Sequence, residues 1–95
     1  MSAKYETIMV LNTKLDEDAT KALIEKFTSL IAANGTVVSV DEWGKRKLAY
    51  EIEDETEGYY VLVNFEAPTD FTKELDRVYQ ITDGILRTII VRKDA

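Results

Sequence analysis

The element order β-α-β-β-α-β predicts a ferredoxin-like α+β fold, with two helices on one face of a four-stranded antiparallel sheet. Three observations carry that expectation. Apolar residues recur at helical spacing in two segments, and four other segments alternate or run apolar as strands do. Glycine or proline stands at most of the breaks between them. Right-handed crossovers then leave few other ways to wind the chain. The sheet's second face carries no helix and stays open.

Residues 5–12, Tyr-Glu-Thr-Ile-Met-Val-Leu-Asn, form the first strand, with apolar residues on both of its faces. Asp16 caps the first helix, and Glu17 and Asp18 sit in its favourable first turn. Ala19, Leu23, Phe27, Leu30 and Ile31 supply its apolar stripe. Asn34-Gly35 ends it, with glycine in the left-handed conformation that closes many helices. Residues 36–52 form a long second strand, and Gly44 inside it marks a bulge. Glu51, Glu53, Asp54, Glu55 and Glu57 make an acidic hairpin loop that runs through Gly58. In the third strand Tyr59, Val61, Val63 and Phe65 share one side, and Tyr60, Leu62, Asn64 and Glu66 the other. Pro68 lies near the start of the second helix, with Thr69 or Asp70 as its cap. Leu75, Val78, Tyr79 and Ile81 are its apolar positions, and Asp83-Gly84 breaks it. Residues 85–92 are the last strand.

Ninety-five residues make a single domain, 1–95, with room for one core. No apolar run approaches the ~20 residues of a membrane span, and the N-terminal residues do not resemble a signal peptide, so a cytoplasmic protein is expected. The chain has no cysteine and no histidine. Disulfides, thiolate metal sites, cysteine nucleophiles and histidine-dependent triads are thereby excluded, and no metal or cofactor is expected. Chemistry would be left to carboxylates, lysine and tyrosine, and an enzyme is not expected.

The net charge of −6 argues against binding nucleic acid through bulk charge. The cations are nevertheless grouped, as Lys45-Arg46-Lys47 and as Arg87, Arg92 and Lys93. An acidic protein can still turn such groups towards phosphates, which position a protein without reading sequence. Alternation places Arg46 on one face with Leu48, and Lys45 and Lys47 on the other; Arg87 and Arg92, five apart, are also on opposite faces. Some of these cations can instead protect a sheet edge from aggregation. On the open face, Tyr60 and Leu62 with the apolar first strand form a patch of the kind that meets a partner.

RNA-recognition-motif domains share this topology and stack bases on strand aromatics. Here Met9, Val61 and Asn64 stand where those aromatics would be, and Glu57 replaces the basic start of the third-strand motif. Acylphosphatase-type enzymes share it too, but the loop Asn12-Thr13-Lys14-Leu15-Asp16 has neither glycine nor arginine, and acids follow it. A self-associating regulatory or ligand-binding domain is the alternative from another class.

The run Trp43-Gly44-Lys45-Arg46-Lys47-Leu48-Ala49-Tyr50-Glu51-Ile52, then Glu57-Gly58-Tyr59-Tyr60, resembles the signature of the bacterial small-subunit ribosomal protein numbered six. Tyr5-Glu6 with Ile8 to Asn12 is similar to that family's first strand, and Asp83 to Arg87 with Ile89 to Arg92 to its last. The resemblance spans essentially the whole chain. It implies the same fold. It also implies a structural role: binding the central domain of small-subunit ribosomal RNA as a heterodimer with the small-subunit protein numbered eighteen, during 30S assembly. Carried over residue by residue, it implies Arg46 and Lys47, with Lys45 beside them, as RNA contacts. Tyr5, Arg87 and Arg92 match positions expected near RNA, and Trp43, Tyr60 and Leu62 on the open face and its edge are assigned to the protein partner.

Overall fold

Pairing between neighbouring strands lengthens the elements beyond what local patterning marks. The computed structural model describes residues 2–52 and 55–93. It runs β1 (Ser2–Asn12), α1 (Glu17–Asn34), β2 (Thr36–Ile52), β3 (Glu55–Pro68), α2 (Phe71–Gln80) and β4 (Ile85–Arg92). The sheet order is β2-β3-β1-β4 and every pairing is antiparallel, so the expected ferredoxin-like arrangement is present. β1 starts at Ser2 rather than Tyr5, because β3 pairs Ser2 with Pro68 and Ala3 with Ala67. β3 starts at Glu55 rather than Tyr59: its acidic residues read as a turn, yet Glu57 pairs with Lys47 and Gly58 with Arg46. Glu53 and Asp54 of the expected acidic loop lie outside the described residues.

Period-two alternation divides the sheet. Ala3, Tyr5, Thr7, Met9 and Leu11 of β1, and Val61, Val63, Phe65 and Ala67 of β3, face the helices and are buried. α1 adds Ile24, Phe27 and Ile31 to this core, and α2 adds Phe71, Leu75 and Tyr79. Ile24 was absent from the expected stripe, whereas Leu23 and Leu30 pack at its margin. Ile81 is not a helix core position, since it follows the end of α2 and is 68% exposed.

The α1 start is as expected: the Ala19 N–H donates to Asp16 Oδ1 at 2.7 Å. Its end is not. Gly35 has φ −169°, extended rather than left-handed. Glycine is needed there because α1 hands over to β2 hard against β3. A Cβ would collide with the Glu66 carbonyl oxygen and lie 2.9 Å from both Ala67 carbons. α2 begins after Asp70, whose side chain makes no capping bond.

Thr7 is the buried polar residue of the described core. Its hydroxyl donates to the Ile89 carbonyl at 3.0 Å. That uses its one proton, so the Tyr79 hydroxyl, 3.0 Å away, donates to Thr7. β1, β4 and α2 are thus joined by one satisfied chain of hydrogen bonds.

Candidate nucleic-acid interface

Strand register orders the open face into rows. Gly44, Tyr60, Val10 and Arg87 lie in one row across β2, β3, β1 and β4. The next row is Asp41, Leu62, Ile8 and Ile89, and the one after is Ser39, Asn64, Glu6 and Val91. Towards the hairpin, Arg46 pairs with Gly58, which pairs with Asn12. The face is therefore mixed: an apolar middle (Leu62, Ile8, Ile89), Arg46 near one edge and Arg87 on the other.

The bulge lies where glycine predicted it. Register shifts between Glu42 and Gly44, and Gly44 has φ +80°, a conformation glycine adopts without strain. Trp43 is the inserted residue. Its ring lies against Tyr60 at 6.3 Å between centroids and 13° between planes. Its Nε1–H donates to Asp41 Oδ2 at 3.2 Å, which fixes the ring's orientation. Trp43, Arg46 and Tyr60 together line a shallow cavity.

The hairpin end of this face is not open. Leu48 is buried, and a Cβ on Gly58 would meet both Leu48 and Val10, so the distal hairpin folds onto β1. Beyond it, Arg87 Nη1 donates to Tyr50 Oη at 2.6 Å, and the guanidinium lies 5.9 Å from the Tyr50 ring centroid. Tyr50 belongs to one edge strand and Arg87 to the other, so the hairpin crosses the intervening strands to reach it. Tyr50 offers a hydroxyl and a ring rather than a carboxylate, so no anion offsets Arg87 there. Lys93 is different: it lies 3.6 Å from the Glu6 carboxylate and donates to Asn64 at 3.2 Å.

The other predicted residues face the helix side. Lys45 pairs with Tyr59 and lines a groove with Glu17, Lys21 and Glu42. There the Tyr59 hydroxyl donates to Glu42 at 2.8 Å, and that carboxylate holds the phenol above its usual pKa. Lys47, two residues on, is exposed on the same side. Arg92 pairs with Tyr5 and shares a groove with Lys73 and Asp76 of α2. Tyr5 itself is a core residue, 6% exposed and stacked on Phe65 at 5.5 Å, so only its edge reaches that groove. Met9 and Val61, compared above with base-stacking aromatics, are wholly buried beneath the helices. Sequence reasoning missed Tyr50 as the partner of Arg87, and Lys73 beside Arg92. Local spacing carries no sign of either, because each pair joins strands or layers far apart in the chain.

The chain is thus a small α+β protein with its core under one sheet face, and aromatics, aliphatics and arginines on the other. The comparisons narrow that class. The chain belongs to the family described as ribosomal protein S6, whose model matches residues 4–92. It is 62% identical over 92 residues to the small ribosomal subunit protein bS6 of Clostridium perfringens, covering 96% of this chain and 97% of that protein. The bS6 protein of Clostridium botulinum is 55% identical over 92 residues, covering 96% and 98%. Among solved structures, 30S ribosomal protein S6 from Thermotoga maritima superposes with a TM-score of 0.92 at 27% identity, covering 98% of this chain and 89% of that one. An uncharacterised protein from the same organism has a TM-score of 0.62 at 12% identity, covering 97% and 98%, and shares the fold alone. Among the described residues, no helix is long and apolar enough to cross a membrane.

Proposed function

We propose that this chain acts as one structural, non-catalytic unit of the cytoplasmic small ribosomal subunit. It binds the central domain of the subunit's RNA together with the small-subunit protein numbered eighteen, and aids assembly. Family membership supplies the ribosomal part of this reading. The observation that carries the rest is the open face, where an apolar row lies beside two arginines, one on each edge strand, that have no carboxylate partner among the described residues.

The two halves of that face suit two partners. Leu62, Ile8, Ile89 and Val91 give the β4 side an aliphatic surface, with Ile89 and Val91 well exposed. An aliphatic strip at a sheet edge fits a protein partner, and the chain's net charge of −6 suits a basic one. Arg46 and Arg87 supply phosphate contacts, and Lys45, Lys47 and Arg92 reach RNA that wraps either edge of the sheet. Tyr5 supports Arg92 from beneath.

Salt dependence tests this reading. Each lost phosphate contact lowers the slope of log affinity against log salt by about one. In the presence of the partner, Arg46→Ala and Arg87→Ala are each expected to show that change on a central-domain RNA fragment. Unchanged slopes for both would move the RNA to the helix-side cations Lys45, Lys47 and Arg92.

A further inference from the structure

We propose that Trp43, Tyr60 and Arg46 form a stacking site for one unpaired RNA base, with Arg46 on the adjoining phosphate; this rests on the RNA-binding reading above.

The site is built from three local features. The bulge inserts Trp43 beside Tyr60 on the open face. Gly44, which pairs with Tyr60, has no side chain to cover that ring, and a Cβ there would meet nothing within 4 Å. The indole N–H bond to Asp41 holds the Trp43 plane in place before any ligand arrives. The two rings stack within 13° of parallel, and Trp43 is 40% exposed, so an aromatic face stays open to a ligand.

The chemistry selects a base over an aliphatic side chain. Bases stack on aromatic faces whatever their identity, and a neighbouring cation holds the backbone. Arg46 lines the same cavity, of about 480 Å³, and has no carboxylate partner among the described residues. The nearby acids are both engaged: Asp41 by the indole, and Glu42 by Tyr59 on the other side of the sheet. The aliphatic row that suits a protein begins at Leu62, one row further along. These aromatics are not at the positions compared with RNA-recognition-motif aromatics, of which Met9 and Val61 are buried here, and that is why the motif comparison did not find them.

Trp43 is the chain's one tryptophan, so its fluorescence reports on this site. The full chain is titrated at low salt with hexaadenylate and with an abasic hexamer of the same ribose–phosphate backbone. Saturable quenching by hexaadenylate, with about tenfold weaker binding of the abasic strand, is the expected result. Tyr60→Leu keeps the apolar bulk and removes the ring; it is expected to weaken hexaadenylate about tenfold. Arg46→Ala is expected to lower the salt slope by about one. Equal response to the two strands overturns the proposal. So does hexaadenylate binding, seen by anisotropy, that leaves Trp43 fluorescence unchanged. So does a partner protein that shifts Trp43 fluorescence by itself and excludes hexaadenylate, which would make this surface a protein contact. Retention of a central-domain RNA fragment on filters separates the two readings. Retention with Trp43 silent removes the base site alone, whereas no retention with or without the partner removes the RNA-binding reading itself.

Discussion

Phe27→Ala is expected to lower folding stability by about 3–5 kcal/mol, the range for deleting a wholly buried phenyl ring. Phe27 is fully buried on the inner side of α1 and packs against Tyr79 of α2 at 4.5 Å between centroids. The two helices touch each other little apart from such contacts, because each rests mainly on the sheet. A cavity at Phe27 therefore removes the ring that joins α1 to α2, and neither helix can close the gap without leaving the sheet. Small domains hold roughly 5–15 kcal/mol in total, so the variant should be close to its unfolding threshold at 37 °C. Urea denaturation checks this: the midpoint should fall sharply while the slope stays constant. Leu30→Ala, on the margin of the same helix, should cost clearly less, and equal losses would contradict this view of the core.

A second large effect is expected at high pH. Burial pushes the Tyr79 hydroxyl up to about 12. An unfolded tyrosine titrates near 10, so between these values the unfolded chain loses the proton first and folding weakens. The contribution is whole below pH 10 and is lost as pH rises towards 12. A difference of about two units corresponds to about 2–3 kcal/mol. The hydrogen-bond chain adds a structural reason. Thr7 can donate to a Tyr79 phenolate only by withdrawing its proton from the Ile89 carbonyl. Tyr59 titrates in the same direction, through its bond to Glu42. Stability measured by urea at pH 9 and pH 11.5 should therefore diverge in the wild type. Tyr79→Phe should remove most of that divergence. A variant that loses as much stability as the wild type over this interval would contradict the assignment.

Much of the fold was legible because its signals are local. Asp16, the apolar stripe through Phe27, the alternation of β3 and the bulge glycine each act within one element. The errors arose where a neighbouring strand decides the outcome. Gly35 is set by the approach of β3, which no helix-ending rule contains. Glu55 to Gly58 became strand because β2 offers them a ladder. Ile24 was missed because a stripe counted from Ala19 in steps of four starts at the margin of the buried side, and Ile24 stands three residues before Phe27 rather than four. The site divides the same way. The spacing from Trp43 to Tyr60 marked the family, and alternation alone separated Arg46 from Lys45 and Lys47, and Arg87 from Arg92. That Trp43 lies on Tyr60, or that Tyr50 crosses the sheet to Arg87, depends on register and twist. Neither is written in the spacing of residues along one strand.

The central claim is that one sheet face serves RNA and a protein partner together. Its most direct test is the affinity of the chain for a central-domain small-subunit RNA fragment, measured at fixed salt with and without the protein numbered eighteen. A chain of net charge −6 with a few exposed arginines should bind weakly alone. With the partner on the aliphatic half of the face, the account predicts much tighter binding, by tenfold or more at a coupling of about 1.4 kcal/mol or above. Equal affinity in the two measurements would contradict it.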